Sequence, residues 1–102
     1  MKVEYHLIIV IVNAGFSAEV MEIAKKEGVT GGTIVHARGS ARPEAEAEFN
    51  IPISPEKDLI YIAVRDNIKD NVLKAIYEET GLGTQAQGIA FSLPITSQIG
   101  IK

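Results

Sequence analysis

The segment Tyr5 to Val12, YHLIIVIV, is apolar on both faces that a strand presents. Alternation sends Tyr5, Leu7, Ile9 and Ile11 one way and His6, Ile8, Val10 and Val12 the other. Leu59 to Val64, LIYIAV, repeats the pattern, with Leu59, Tyr61 and Ala63 opposing Ile60, Ile62 and Val64. Strands of this kind need cover on both faces. A chain of 102 residues has little to spare, because a domain this size buries only roughly 60–70% of its unfolded surface.

The rest of the chain supplies cover for one face only. Asn13-Ala14-Gly15 breaks the first strand. Ser17 reads as the N-cap of a helix, and Phe16 and Met21 are spaced as a hydrophobic staple. Val20, Ile23, Ala24 and Glu27 continue the helix until Gly28 stops it. Thr33 to Ala37 reads as a second strand and Leu59 to Val64 as the third. Asp66 or Asn67 caps a second helix, with Ile68, Val72, Leu73, Ile76 and Tyr77 on its buried side. Gly81 ends it. Ile89, Phe91 and Leu93 alternate with Ala90 and Ser92 in a fourth strand, which Pro94 closes or pushes to an edge. The order β-α-β-β-α-β in one domain, residues 1–102, predicts an α+β, ferredoxin-like fold: a four-stranded antiparallel sheet with two helices on one face. The open face is then apolar, and a large exposed apolar patch marks an interface. The expectation is a homo-oligomer that buries its open sheet faces, with His6 at that interface.

Composition narrows function mainly by exclusion. The chain has no cysteine, which removes disulfides and zinc–thiolate sites. The net charge of −3 lacks the basic footprint of a nucleic-acid binder. Leu7 to Val12 is too short to span a bilayer and lacks the flanks of a signal peptide, so the expected location is the cytoplasm. No nucleophile–base–acid set stands out, and an enzyme is not expected. The two histidines make a metal site only with carboxylates or across subunits.

The polar segment TGGTIVHARGSARPEAEAEF, Thr30 to Phe49, leads into a connection from Arg38 to Asp58. Loops beyond roughly 12–15 residues are usually functional or disordered. Pro43, Pro52 and Pro55 restrict its backbone, and Glu44, Glu46 and Glu48 give it a solvated acidic stretch. Arg38 and Arg42 are fork-shaped donors suited to phosphate or carboxylate, with loop glutamates as the alternative partners. His36 shares a strand face with Arg38. Gly81-Leu82-Gly83-Thr84 opens a loop whose amides can nest an anion, although no Gly-Lys-Ser/Thr follows as a P-loop requires.

GVTGGT, Gly28 to Thr33, resembles the GVTGxT segment that opens the second strand of the P-II nitrogen-regulatory signalling proteins. RGSAR, Arg38 to Arg42, resembles the KGFGR segment at the base of that family's T-loop, and the two motifs keep the family's spacing. TGLGT and GIAFSLPI fall where the family has its B-loop and fourth strand. The resemblance is closest to a P-II-like subgroup with a shorter T-loop. It implies a homotrimer that binds an adenine nucleotide at clefts between subunits. Its mobile T-loop would regulate a partner protein, such as a transporter, an enzyme or a regulator.

By the same resemblance, Gly31 and Thr33 would lie against the adenine and Ala63 near the base-contacting backbone. Gly39 and Arg42 would approach ribose or phosphates from the loop base, and Lys57 aligns with a T-loop-base lysine. Thr84, Gln87 and Gly88 would belong to the B-loop. The family's B-loop lysine, its two C-terminal arginines and its modified T-loop tyrosine have no counterpart here. Ala41 replaces a loop glycine, and Pro43 stands where a glutamine helps sense 2-oxoglutarate. A ligand with fewer phosphates than ATP, such as AMP or ADP, suits a site with fewer cations. The alternative is a trimeric divalent-metal module of the cation-tolerance type, motivated by His36 and the acidic loop. An acylphosphatase lacks its glycine-rich Arg motif, and an RNA-binding sheet lacks its aromatic platform.

Overall fold

The computed structural model describes residues 3–40 and 55–101. Along the chain run β1 (Tyr5–Asn13), α1 (Ser17–Lys26), β2 (Thr33–Arg38), β3 (Glu56–Arg65), α2 (Asp66–Thr80) and β4 (Ile89–Ile95). The sheet has strand order β2-β3-β1-β4, and every neighbouring pair is antiparallel. This is the expected ferredoxin-like arrangement.

Alternation decides which residues make the core. Ile8, Val10 and Val12 of β1 and Ile60, Ile62 and Val64 of β3 are buried beneath the helices. Val20, Ile23 and Ala24 of α1, Val72 and Ile76 of α2, and Val29 and Ala86 complete that cluster. On the opposite face Leu7, Ile9, Ile11, Leu59 and Tyr61 are only half-buried. Ile89, Phe91 and Leu93 of β4 are 41–48% exposed there. The apolar open face read from alternation is therefore present.

Several local expectations are corrected. Ser17 is the first residue of α1 rather than its N-cap; Phe16 takes the cap position without a side-chain hydrogen bond, and Ser17 instead bonds Asp58. Arg65 holds the cap position of α2, again without a side-chain bond. Asp66 is occupied elsewhere, accepting a 2.7 Å hydrogen bond from His6. That bond holds His6 within its own chain, at a side-chain exposure of 12%. Tyr77 is 48% exposed and lies off the buried stripe. The third strand starts at Glu56, so Arg38, Glu56, Lys57 and Asp58 belong to paired strands and not to a free loop. Pro94 does not close β4; it pairs with His6 inside an edge strand, where proline is tolerated.

Other local readings hold. Gly28 has φ +103 and its N–H bonds the Lys25 carbonyl at 3.1 Å, the left-handed helix exit that glycine favours. Gly81 is the C-cap of α2, bonded to the Tyr77 carbonyl. The Glu44, Glu46 and Glu48 stretch, Arg42 and the centre of the connecting loop lie outside the described residues.

Candidate functional site

The residues singled out from sequence gather at two ends of the open sheet face. At one end Gly31, Thr33 and Ala63 line a concavity of about 410 Å³ with Leu7, Tyr61 and Ile101. Strand register explains the meeting: Thr33 pairs with Tyr61, and Ala63 pairs with Leu7. Open space lies beside Gly31, where an added Cβ would meet nothing within 4 Å. Gly32 is crowded, with the Tyr61 carbonyl oxygen 3.1 Å from the position of its Cβ.

At the other end, Asn13 pairs with Lys57. The Lys57 ammonium donates a 2.6 Å hydrogen bond to Asn13 Oδ1. Asn13 Nδ2 donates to the Gln85 carbonyl at 3.0 Å, and Asn13 N donates to the Ala86 carbonyl at 2.8 Å. The Lys57 stem runs beside Gly39: a Cβ added there would lie 3.3 Å from Lys57 Cγ. Burial lowers the pKa of Lys57, because the charged ammonium loses water. Among the described residues this cation has no carboxylate partner. From sequence, Asn13 reads only as a strand breaker, because its burial and both side-chain partners are set by the fold.

The loop that Asn13 holds contains the remaining expected residues. Thr84 Oγ1 donates to the Gly81 carbonyl, so its hydroxyl is used within the turn. Gly88 N–H bonds the Thr80 carbonyl at 2.7 Å. Gln87 takes φ 48, a backbone region uncommon for a side-chain-bearing residue. It is 9% exposed, and its buried Nε2 has no hydrogen-bond partner among the described residues. A buried orphan amide is costly, and such groups mark places where a further acceptor belongs. Arg38 turns outward and forms an exposed pair with Glu56 at 2.6 Å, so it does not converge on Lys57.

Asp58, next to Lys57, faces the opposite side of the sheet. Its carboxylate, only 2% exposed, accepts from His36 Nδ1 at 2.7 Å, from Gly15 N–H at 3.1 Å and from Ser17. Burial alone raises its pKa. The hydrogen bonds from His36, Gly15 and Ser17 and the attraction of His36 outweigh that, and the net pKa is lowered. A depressed folded-state pKa adds stability above the unfolded value, and the gain is lost as pH falls through the folded value. Urea unfolding at a series of pH values should therefore show stability falling below about pH 4. Asp58→Asn should flatten that acid limb.

Comparison with known proteins gives the family. The family model described as Nitrogen regulatory protein P-II matches residues 5–102. No curated protein sequence matches. PII from Arabidopsis thaliana, solved with citrate, superposes with a TM-score of 0.72 at 21% identity, covering 98% of this chain and 82% of that one. A PII-like protein from Thermus thermophilus gives 0.69 at 18% identity, covering 91% and 87%. CPII, a nitrogen regulatory PII-like protein from Thiomonas intermedia solved with ADP, AMP and bicarbonate, gives 0.69 at 17% identity, covering 98% and 100%. With strand order, motifs and a match over nearly its whole length in agreement, the chain belongs to the P-II family of signalling proteins.

Proposed function

We propose that this protein is a homotrimeric regulator that binds an adenine nucleotide between subunits and signals through the connection between β2 and β3. The observation that carries this reading is the Lys57 ammonium, which among the described residues has no carboxylate partner and which Asn13 ties to the loop containing Gln87. An anionic ligand group supplies the counter-charge for Lys57. Gly39 and Gly88 bring backbone to the same end, and Thr84 shapes the turn. Arg42 and Arg38 are the further candidate cations at the loop base.

The concavity at Gly31, Thr33 and Ala63 suits the base. Along β3 its lining residues Tyr61 and Ala63 are four and six residues from Lys57, about 13–20 Å at a strand rise of about 3.3 Å per residue. One nucleotide reaches both ends by a shorter path when the base end of one subunit meets the Lys57 end of its neighbour. Packing of the apolar open faces against one another makes that arrangement favourable. Phe91→Glu, which places charge on this face, should dissociate the assembly, as read by light scattering on a sizing column. A variant that keeps the wild-type mass would remove the open-face interface.

The ligands of solved relatives, ADP, AMP and bicarbonate in one and citrate in another, support a small anionic effector. We extend the reading to a protein partner, a transporter, enzyme or regulator, engaged by the loop. A role in nitrogen regulation and a cytoplasmic location belong to the same proposal. No described helix is long and apolar enough to cross a membrane. Among the described residues no three metal-ligating side chains converge, which gives the cation-tolerance alternative no local support.

Calorimetric titration and thermal unfolding with AMP, ADP and ATP test the nucleotide reading. A ligand selective for the folded state at 100 times its Kd adds about 2.7 kcal/mol. Absence of both heat and thermal shift with all three would falsify it.

A further inference from the structure

The Asn13 side chain joins the two parts of the anion end of the site, and its chemistry fixes how. Its Nδ2 faces the Gln85 carbonyl, which can only accept. Its Oδ1 faces the Lys57 ammonium, which can only donate. The amide orientation is therefore forced by its partners. Asn13 itself is 7% exposed, so neither bond is readily replaced by water.

An ammonium has three donors. One is given to Asn13, and no carboxylate among the described residues neutralises the charge. Asparagine is neutral, so it positions Lys57 without neutralising it. An aspartate of the same shape would form an ion pair with Lys57 and lose the donor to Gln85. The neutrality of this one side chain thus decides whether the site attracts a negative group.

We propose that Asn13 is the positioning and specificity residue of the anion end. It holds Lys57 ready for a phosphate or carboxylate group and transmits displacement of Lys57 to the loop at residues 84–88. The proposal rests on the nucleotide reading for its ligand but not for the coupling itself. When an anion draws Lys57 away, Asn13 Oδ1 loses its donor. The amide is then held from the loop side alone, so the loop reports occupancy of Lys57.

Asn13→Asp, Asn13→Ala, Lys57→Met and the Asn13→Ala/Lys57→Met double variant test it. The full chain is used, and folding is checked by circular dichroism. Adenosine and AMP share a base and differ by one phosphate. The wild type should bind AMP at least about tenfold more tightly than adenosine, the scale of a charge-assisted contact. Asn13→Asp should abolish that advantage, bringing AMP affinity down to that of adenosine. Without ligand, Asn13→Ala and Lys57→Met should each speed amide exchange at residues 84–88, and the double variant should be no faster than Asn13→Ala. An AMP advantage that survives Asn13→Asp, or strictly additive exchange effects, overturns the proposal. If the wild type binds neither adenosine nor AMP, the nucleotide reading fails and the exchange measurements alone decide the role of Asn13.

Discussion

Gly88→Val is expected to unfold the chain or leave it poorly folded at ambient temperature. A Cβ at Gly88 would fall on the Thr80 carbonyl oxygen and 3.0 Å from Val12 Cγ1. Backbone cannot yield there cheaply. Thr80 is 1% exposed, and its carbonyl already accepts from Gly88 N–H. The Gly81–Gly88 bridge would have to open, and the turn it closes carries Gln85 and Ala86 away from Asn13. Even Gly88→Ala should cost about 3 kcal/mol, at the upper end of ordinary overpacking. Valine adds two methyl groups against Val12 and should cost more. Denaturant midpoints for the alanine and valine variants measure this, and an alanine variant within about 0.5 kcal/mol of wild type would contradict the close approach.

Asp58→Leu is the second large effect. It removes the shared acceptor of His36, Gly15 and Ser17 in one step. Hydrogen bonds to a charged group contribute about 1.5–3 kcal/mol each, and their losses do not add. His36, with a side chain 87% exposed, recovers water when its partner is lost. Gly15 N–H and Ser17, at the entry to α1, do so less completely. A net loss of about 3 kcal/mol is expected. His36→Ala should cost under about 1 kcal/mol, since its ring leaves the other Asp58 bonds in place. Urea unfolding of both variants separates the two; equal losses would place the weight of the cluster on His36 rather than on the helix entry.

The strand pairings were legible because alternation and β-branched runs act locally. Leu59 to Val64 was visible as a strand, whereas Glu56 to Asp58 was not. Glu56, Lys57 and Asp58 carry no apolar signal, and it is pairing with β1 and β2 that makes them strand. The same reason hid the cap positions. Ser17 and Asp66 look like caps in isolation, but Asp58 and His6, distant in sequence, take their side chains. Of the candidate site, Gly31, Thr33 and Ala63 were found through motif resemblance and do share a concavity. Lys57 was found by alignment with a loop-base lysine. Asn13 was missed as a site residue because its role depends on two partners at 44 and 72 positions' remove. Arg38 was read as loop, whereas strand pairing sets it opposite Glu56.

Pro94 has a consequence for how copies of this chain add to one another. A proline in an ordered edge strand sits with its missing N–H toward solvent. The outer margin of β4 therefore lacks one donor, whereas β2, from Thr33 to Arg38, has no proline. An extended segment can zip onto the β2 margin more readily than onto the β4 margin. Addition favoured on one side only propagates poorly, so Pro94 works against strand-by-strand growth into fibres.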